Sequence, residues 1–462
     1  MDGISEDKPV VNRFSKPSAT IHTLAPELLT EIFLHCVDTN GHLRHLSRPP
    51  LLLGRVCSRW RIVSADSPVL WTRFAIIGHR WSRIDWKKDL EATKVWMSRS
   101  GSCPLTICLV YSQLWGEQLL MPILESLVSQ SWRWENVYIS IPSEFESVIL
   151  APFWTGRLHQ LQSFDCCLDG IQVANSEDVR PLALSSAPQL QSFRHVREVG
   201  GHIDFGGRIH TVKILEIRYP MDSGTAGMSP GDLLTCLTHC PLLEELTFLI
   251  TEFGSIHPQE LPPIIELCHL RHFYLALSAG IDPGYLFGVL FVPALEKLTL
   301  LMKVDNNHYT DWPHLRPMLA RSRPPLRSLA LYRVPVIEKT LCECLSYIPS
   351  LTFLGLGGTE CTDIILNFLT TDKNDTSRRI CPCLDEIEFR HASRFSSSAM
   401  ISMILSRHPS NTNIENRQPL KLIDCRESQM EWNASSNSCI AECIEAGLVF
   451  HSPDTDMTTI WR

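Results

Sequence analysis

The side chains with the most chemistry in this 462-residue chain are its 17 cysteines and 18 histidines. Spacing decides what they can do. Cys236-x-x-x-Cys240 with His239 beside it, and Cys439-x-x-x-Cys443, each place two thiols one helical turn apart, as half of a zinc site would. Neither has the second ligand pair at finger spacing, and Cys342-Glu343-Cys344 and Cys381-Pro382-Cys383 lack it too. Such thiols read as small residues on the apolar face of a helix. Asp305-Asn306-Asn307-His308 offers hard donors to a cation, but four polar residues in a row describe a turn. Gly224, Gly227 and Gly231 lack the lysine of a phosphate-binding loop and read as a plain loop, and no Gly-x-Ser-x-Gly elbow occurs. The expectation is a protein that is not an enzyme and holds no cofactor or metal.

Without catalytic residues, function falls to surfaces, and so to the elements that carry them. The chain is 44% hydrophobic and 20% charged, which suits a folded chain. Met1 to Ala19 is polar, with no apolar core of a secretory leader. The longest apolar run, Tyr285 to Leu295, contains Pro293 and is too short to span a bilayer. Reduced cysteines then suit a cytoplasmic or nuclear setting. Residues 1–100 hold 15 Lys+Arg against 10 Asp+Glu, while the whole chain carries −8. A basic start would attract an acidic partner, and an acidic remainder argues against binding nucleic acid.

The stretch from Thr23 to Trp71 reads as short helices. Pro26 suits a first helical turn, where its missing N–H costs nothing, and Glu27 suits the positive end of the helix dipole. Leu28, Leu29, Ile32 and Phe33 make one apolar face; Leu52, Leu53, Val56, Cys57 and Trp60 make another. Two or three short helices cannot bury all of this among themselves, so part of it should meet a partner.

Leu24-Ala25-Pro26-Glu27-Leu28-Leu29-Thr30-Glu31-Ile32-Phe33, then Val56-Cys57-Ser58-Arg59-Trp60-Arg61, then Pro68-Val69-Leu70-Trp71, resembles an F-box in three ordered blocks. Ala25 between Leu24 and Pro26 is a mild departure, and Asp38 to Pro50 resembles the insertion of fungal members. The resemblance covers about fifty residues. It implies a docking site for the Skp adaptor of a Skp–cullin–F-box ubiquitin ligase, with Leu24, Pro26, Glu27, Leu28, Leu29, Ile32, Phe33, Val56, Cys57, Trp60, Leu70 and Trp71 as its residues.

Beyond Asp85–Arg99, which reads as a helix, Pro104–Val110 reads as a first strand. A Leu-x-x-Leu-x-Leu pattern then recurs from 134, 161, 190, 212, 243, 270, 295, 326, 351 and 384, with helical segments between copies. Steps of 22 to 33 residues resemble a leucine-rich repeat in which each strand-and-helix unit buries its apolar face on its neighbours. A regular asparagine after each strand is absent, so the array should be irregular. Alternation sends the leucines inward and puts Glu216 and Arg218, Thr247 and Leu249, Tyr274 and Ala276, Thr299 and Leu301, Ala330 and Tyr332, and Glu388 and Arg390 on the concave face.

The expected fold is α/β. It has a loose start (1–19), an all-α F-box (20–75, insertion about 38–50), a helical linker (76–103), an irregular repeat solenoid (104–452) and a tail (453–462). The expected function is a substrate receptor, with Leu249, Tyr274, Leu301, Tyr332 and Arg390 toward an unknown target protein and Lys303 and Arg218 as charged rim. A scaffold working outside any ligase is the alternative, and an enzyme with an unrecognised site a third.

Overall fold

The computed structural model describes residues 21, 23–37, 48–78, 86–111, 120–169, 181–196, 202–218, 228–251, 262–278, 281–302, 311–358, 361–371, 380–390, 395–408, 419–426 and 438–451. Residues 1–19, the core of the insertion at 38–47, Lys303, the 305–308 turn and the 453–462 tail lie outside them.

The chain starts with α1 (Pro26–Cys36), α2 (Leu53–Val56), α3 (Ser58–Ala65) and a 3-10 turn, Pro68–Trp71. Strands and helices then follow as β1 (Arg73–Gly78), α4 (Trp86–Arg99), β2 (Leu105–Tyr111), α5 (Met121–Val128), β3 (Trp134–Pro142), α6 (Glu146–Thr155) and β4 (Ser163–Asp169). Next come β5 (Leu182–Ala183), β6 (Ser192–Val196), β7 (Ile203–Asp204), β8 (Ile214–Arg218), α7 (Pro230–His239), β9 (Glu245–Ile250), β10 (Ile265–Glu266) and β11 (His272–Leu277). Then come α8 (Gly284–Val289), β12 (Leu290–Phe291), β13 (Lys297–Met302), α9 (Leu315–Ser322), β14 (Ser328–Tyr332), α10 (Glu338–Leu345) and β15 (Phe353–Gly357). The last are α11 (Asp363–Leu369), β16 (Glu386–Arg390), α12 (Ser397–Ser406), β17 (Leu422–Asp424), α13 (Ser438–Glu445) and β18 (Val449–His451).

Fourteen of these strands form one parallel sheet in which each pairs with the next in the chain; β5 with β7 and β10 with β12 form two small pairs. The pattern positions fix the register. Phe164, Phe193, Leu215, Leu246, Phe273, Leu298, Leu329, Leu354, Ile387 and Ile423 stand opposite one another across ten strands, each at most 2% exposed. One Leu-x-x-Leu-x-Leu copy thus supplies one rung of a continuous core, and burial of such side chains contributes about 1.5–3 kcal/mol each. Among the described residues no helix is long and apolar enough to cross a membrane.

Two expectations are corrected. The amino-terminal stretch is not an all-α module that closes before the sheet: β1 follows the 3-10 turn directly and pairs along its whole length with β2. Its Phe74-Ala75-Ile76 run is buried, and with no turn residue before it the chain passes straight from helix into sheet. Residues 76–103, expected as a helical linker, hold the expected helix as α4, but also the end of β1, and Trp96 of α4 packs edge-on against Trp71 at 4.8 Å, so the stretch belongs to the packed core. Helix α8 stops at Val289, because Leu290 and Phe291 leave it to pair with β10.

Carboxylates at or just before helix starts tie neighbouring units together. Asp89 of α4 accepts from the Tyr111 hydroxyl at 2.7 Å, Glu146 of α6 meets His195 Nε2 at 2.9 Å, and Asp282 ahead of α8 accepts from Trp312 Nε1 at 2.8 Å. Asp311, ahead of α9, accepts from Ile337 N at 3.1 Å and from the Thr340 hydroxyl at 2.8 Å at the start of α10. Glu338 of α10 accepts from Thr362 N, the Thr362 hydroxyl and Ile365 N at the start of α11, and Asp363 of α11 accepts from Ser396 N ahead of α12 at 2.7 Å. From Asp311 onward, each acid satisfies N–H groups of the next helix that have no partner within it. Arginines act at the other ends. Arg133 donates to Met97 O at 2.9 Å, Arg321 to Phe287 O at 3.1 Å, and Arg407 to Leu369 O at 2.9 Å. Both placements suit the helix dipole.

Candidate docking surfaces

The amino-terminal helices are held from inside. Leu29 and Phe33 of α1, Leu53 of α2, Val63 of α3, and Leu70 and Trp71 of the 3-10 turn are all buried. Trp60 is half-buried, 4.8 Å from the Phe33 ring. Trp71 donates through Nε1 to Ser64 O at 2.7 Å, and the Arg99 guanidinium lies 4.4 Å over its ring. Polar ties fix the helices to one another. The Thr30 and Ser67 hydroxyls meet at 2.7 Å, and Arg59 Nη2 donates to Leu24 O. Pro26 occupies the first turn of α1, as its lack of an N–H allows, and Cys57 Sγ caps α3 by accepting from Trp60 N at 3.5 Å.

The twelve residues read as one docking set therefore divide. Leu29, Phe33, Leu70 and Trp71 position the helices and offer no surface; that part of the expectation is corrected, because the bundle needs them for its own core. Pro26, Glu27, Leu28, Ile32 and Val56 are exposed, and Leu24, Cys57 and Trp60 are half-buried. Leu28 is 55% exposed and Val56 56%, with Ile32 at 41% and Leu52 at 38%. Leu28 and Ile32 are one turn apart, as are Leu52 and Val56, so each short helix keeps an apolar edge in water. Ile62, 62% exposed, is an apolar surface residue that helical spacing does not single out, because it sits among Arg59, Arg61 and Asp66 away from the Val56–Trp60 face.

The second surface is the sheet face opposite the leucine rungs. Tyr274, Leu301 and Tyr332 are half-buried there and Arg390 is exposed. Leu249 is only 4% exposed, correcting its reading as a projecting side chain. Alternation breaks at the end of β9, where Leu249 and Ile250 are both buried and Met228 bridges beside Ile250. Tyr332 does not stand out into solvent. It lies across β15 and donates its hydroxyl to Glu388 Oε2 on β16 at 3.0 Å, while the Arg390 guanidinium sits 5.0 Å from its ring and pairs with Glu388. Gly355 makes this possible, since a Cβ there would come within 2.9 Å of the Tyr332 hydroxyl. Farther along, Arg194 links Glu216 at 3.4 Å and Glu245 at 3.6 Å, and Arg218 pairs with Glu216 at 2.7 Å. Asp165, beside them, has its pKa raised by burial, with Arg194 pulling the other way.

No disulfide joins any of the cysteines. Burial pushes the thiols of Cys240, Cys344, Cys361, Cys381 and Cys425 up to about 12, far from a nucleophile's range. Among the described residues no group of three or more His, Cys, Asp or Glu is placed to hold a metal ion. Compared with known proteins, the chain matches no family model and no curated protein.

Proposed function

We propose that the chain is an F-box protein whose amino-terminal helices bind a Skp-type adaptor, and through it a cullin, while the carboxy-terminal array, an irregular leucine-rich-repeat solenoid, holds a target protein. The observation that carries this reading is the coincidence of motif and exposure: the first two F-box-like blocks carry Leu28, Ile32 and Val56, which remain in water on helices too short to bury them, with Leu52 exposed beside them. Apolar anchors of this kind dominate interface energy, often at 2 kcal/mol or more each.

The mechanism is proximity. A receptor that holds a target beside a ubiquitin-loaded enzyme raises the effective concentration of the target's lysines and needs no catalytic residue. The protein would work in the cytoplasm or nucleus and leave nucleic acid and membranes alone. Affinity purification of the full chain tests it: the reading expects a Skp-type adaptor and a cullin together. Adaptor without cullin would favour a scaffold outside the ligase, and recovery of neither would refute the F-box assignment. For the target, Tyr274→Ser should spare folding and adaptor binding but lose the partner.

A further inference from the structure

The backbone turns left-handed after β14 and again after β15, at equivalent positions. Tyr332 stands opposite Gly357 in the register, so the next residues, Arg333 and Gly358, occupy matching places. Arg333 has φ +55° and Gly358 φ +70°. Glycine adopts this conformation freely, whereas an L side chain is strained there. The chain thus keeps an arginine where the neighbouring unit has the residue that the turn prefers.

The surroundings accommodate that arginine. Its N–H donates to Gly357 O, and a Cβ on Gly358 would come within 2.7 Å of Arg333 Cγ, so the glycine leaves room for the arginine's stem. On the far side of the same strand end, Gly358 donates to Arg390 O at 3.1 Å, and a Cβ on Gly357 would meet Arg390 Cβ at 2.9 Å. Two arginines thus flank a bare Gly357–Gly358 backbone. Their charges are not balanced alike. Arg390 is paired with Glu388, two residues back on its own strand, as Arg218 is with Glu216 and Arg426 with Asp424. Two residues before Arg333 stands Leu331, buried, and no described carboxylate pairs with the exposed Arg333.

We propose that Arg333, across the Gly357–Gly358 backbone from the Glu388-paired Arg390, receives a carboxylate from an acidic segment of a protein partner lying along this edge of the sheet. An arginine fork donates two parallel hydrogen bonds to a carboxylate, and the strained, glycine-floored turn keeps it in place for that contact. The site deepens the target-binding reading above and names the chemistry of what would bind.

The test uses the full-length protein with its arginine Nε groups isotopically labelled. Three probes are titrated: the blocked peptide acetyl-Leu-Glu-Glu-Leu-amide, its Gln-Gln analogue and inorganic phosphate. The expected result is a saturable shift of the Arg333 signal, identified by its loss in Arg333→Gly, with the Glu peptide alone. Arg333→Gly should weaken the peptide about tenfold, roughly the effect of one charge-assisted hydrogen bond at an exposed position. It should leave the melting temperature unchanged or raised, since glycine suits the turn. Equal shifts with the Gln peptide or with phosphate, no shift with any probe, or a lowered melting temperature in Arg333→Gly would each overturn the proposal. The target reading fails separately, if Tyr274→Ser keeps every partner that the wild type recovers; a Glu-specific shift at Arg333 would survive that outcome.

Discussion

The amino-terminal helices and the sheet array solve the same problem differently. In the array, each unit buries its leucines on both neighbours, and carboxylates and arginines join one helix to another. Among the described residues, the amino-terminal helices have a neighbour on one side only. Seven large apolar side chains stand exposed between residues 21 and 69, against ten over residues 70–451, among the described residues. A region that folds by stacking similar units leaves little apolar surface over; a short helical start does. The difference separates residues that build a surface from residues that form the surface proposed for docking.

The largest separation of the two regions should come with alkali. The five thiols pushed to about 12 all lie in the array, whereas Cys36 of the helical start is exposed. Below pH 9 these thiols are protonated in both folded and unfolded chain and cost nothing. As pH rises from their ordinary value of 9.0 toward 12, the unfolded chain loses its protons first, and stability falls by about 1 kcal/mol per pH unit for each thiol. Urea midpoints of the array should drop steeply above pH 9; a flat profile from pH 8 to 11 would contradict the burial of these groups.

Next in size is Trp71→Ala. It removes a ring that packs on Trp96 and donates to Ser64, and should cost about 3–5 kcal/mol in chemical denaturation. Because Trp71 sits where the two regions meet, the loss should appear in both. Glu338→Ala should cost about 1–3 kcal/mol, since it leaves the first amides of α11 without their acceptor. Hydrogen exchange should then speed in α11 and α12 and leave α4 to α6 unchanged; uniform acceleration would show that the acid links do not act locally. Gly355→Ala should cost about 1–2 kcal/mol by pushing the Tyr332 hydroxyl away from Glu388, with fluorescence-monitored unfolding as the measure.

How far these features can be read from the amino-acid sequence depends on their range. The ten recurrences from 134 to 384 lead to strands because each leucine's period-two spacing is a local cause of a local effect. Strand β17, three residues long, has too little pattern to register, and β1 hides behind Trp71 with no turn residue to announce it. The helical start shows the limit most clearly. Leu28, Leu29, Ile32 and Phe33 lie on one apolar stripe by spacing, yet Leu29 and Phe33 are buried while Leu28 and Ile32 are exposed. Only the position of α3 and the 3-10 turn, fixed by contacts such as Phe33–Trp60 and Thr30–Ser67, divides them. Tyr332 reaching Glu388, 56 residues later, depends on the glycines of an intervening strand and on sheet register. Nothing at position 332 itself reveals this.

The most direct test of the central claim uses a variant expected to leave stability almost untouched. Leu28→Asp with Val56→Asp alters only exposed side chains, so its melting curve should match the wild type to within about 0.5 kcal/mol per site. Calorimetric titration with a purified Skp-type adaptor should give a one-to-one complex with the wild type and no measurable heat with the variant. Equal binding by both proteins, or no binding by the wild type, would contradict the assignment of the exposed helix edges as the docking surface.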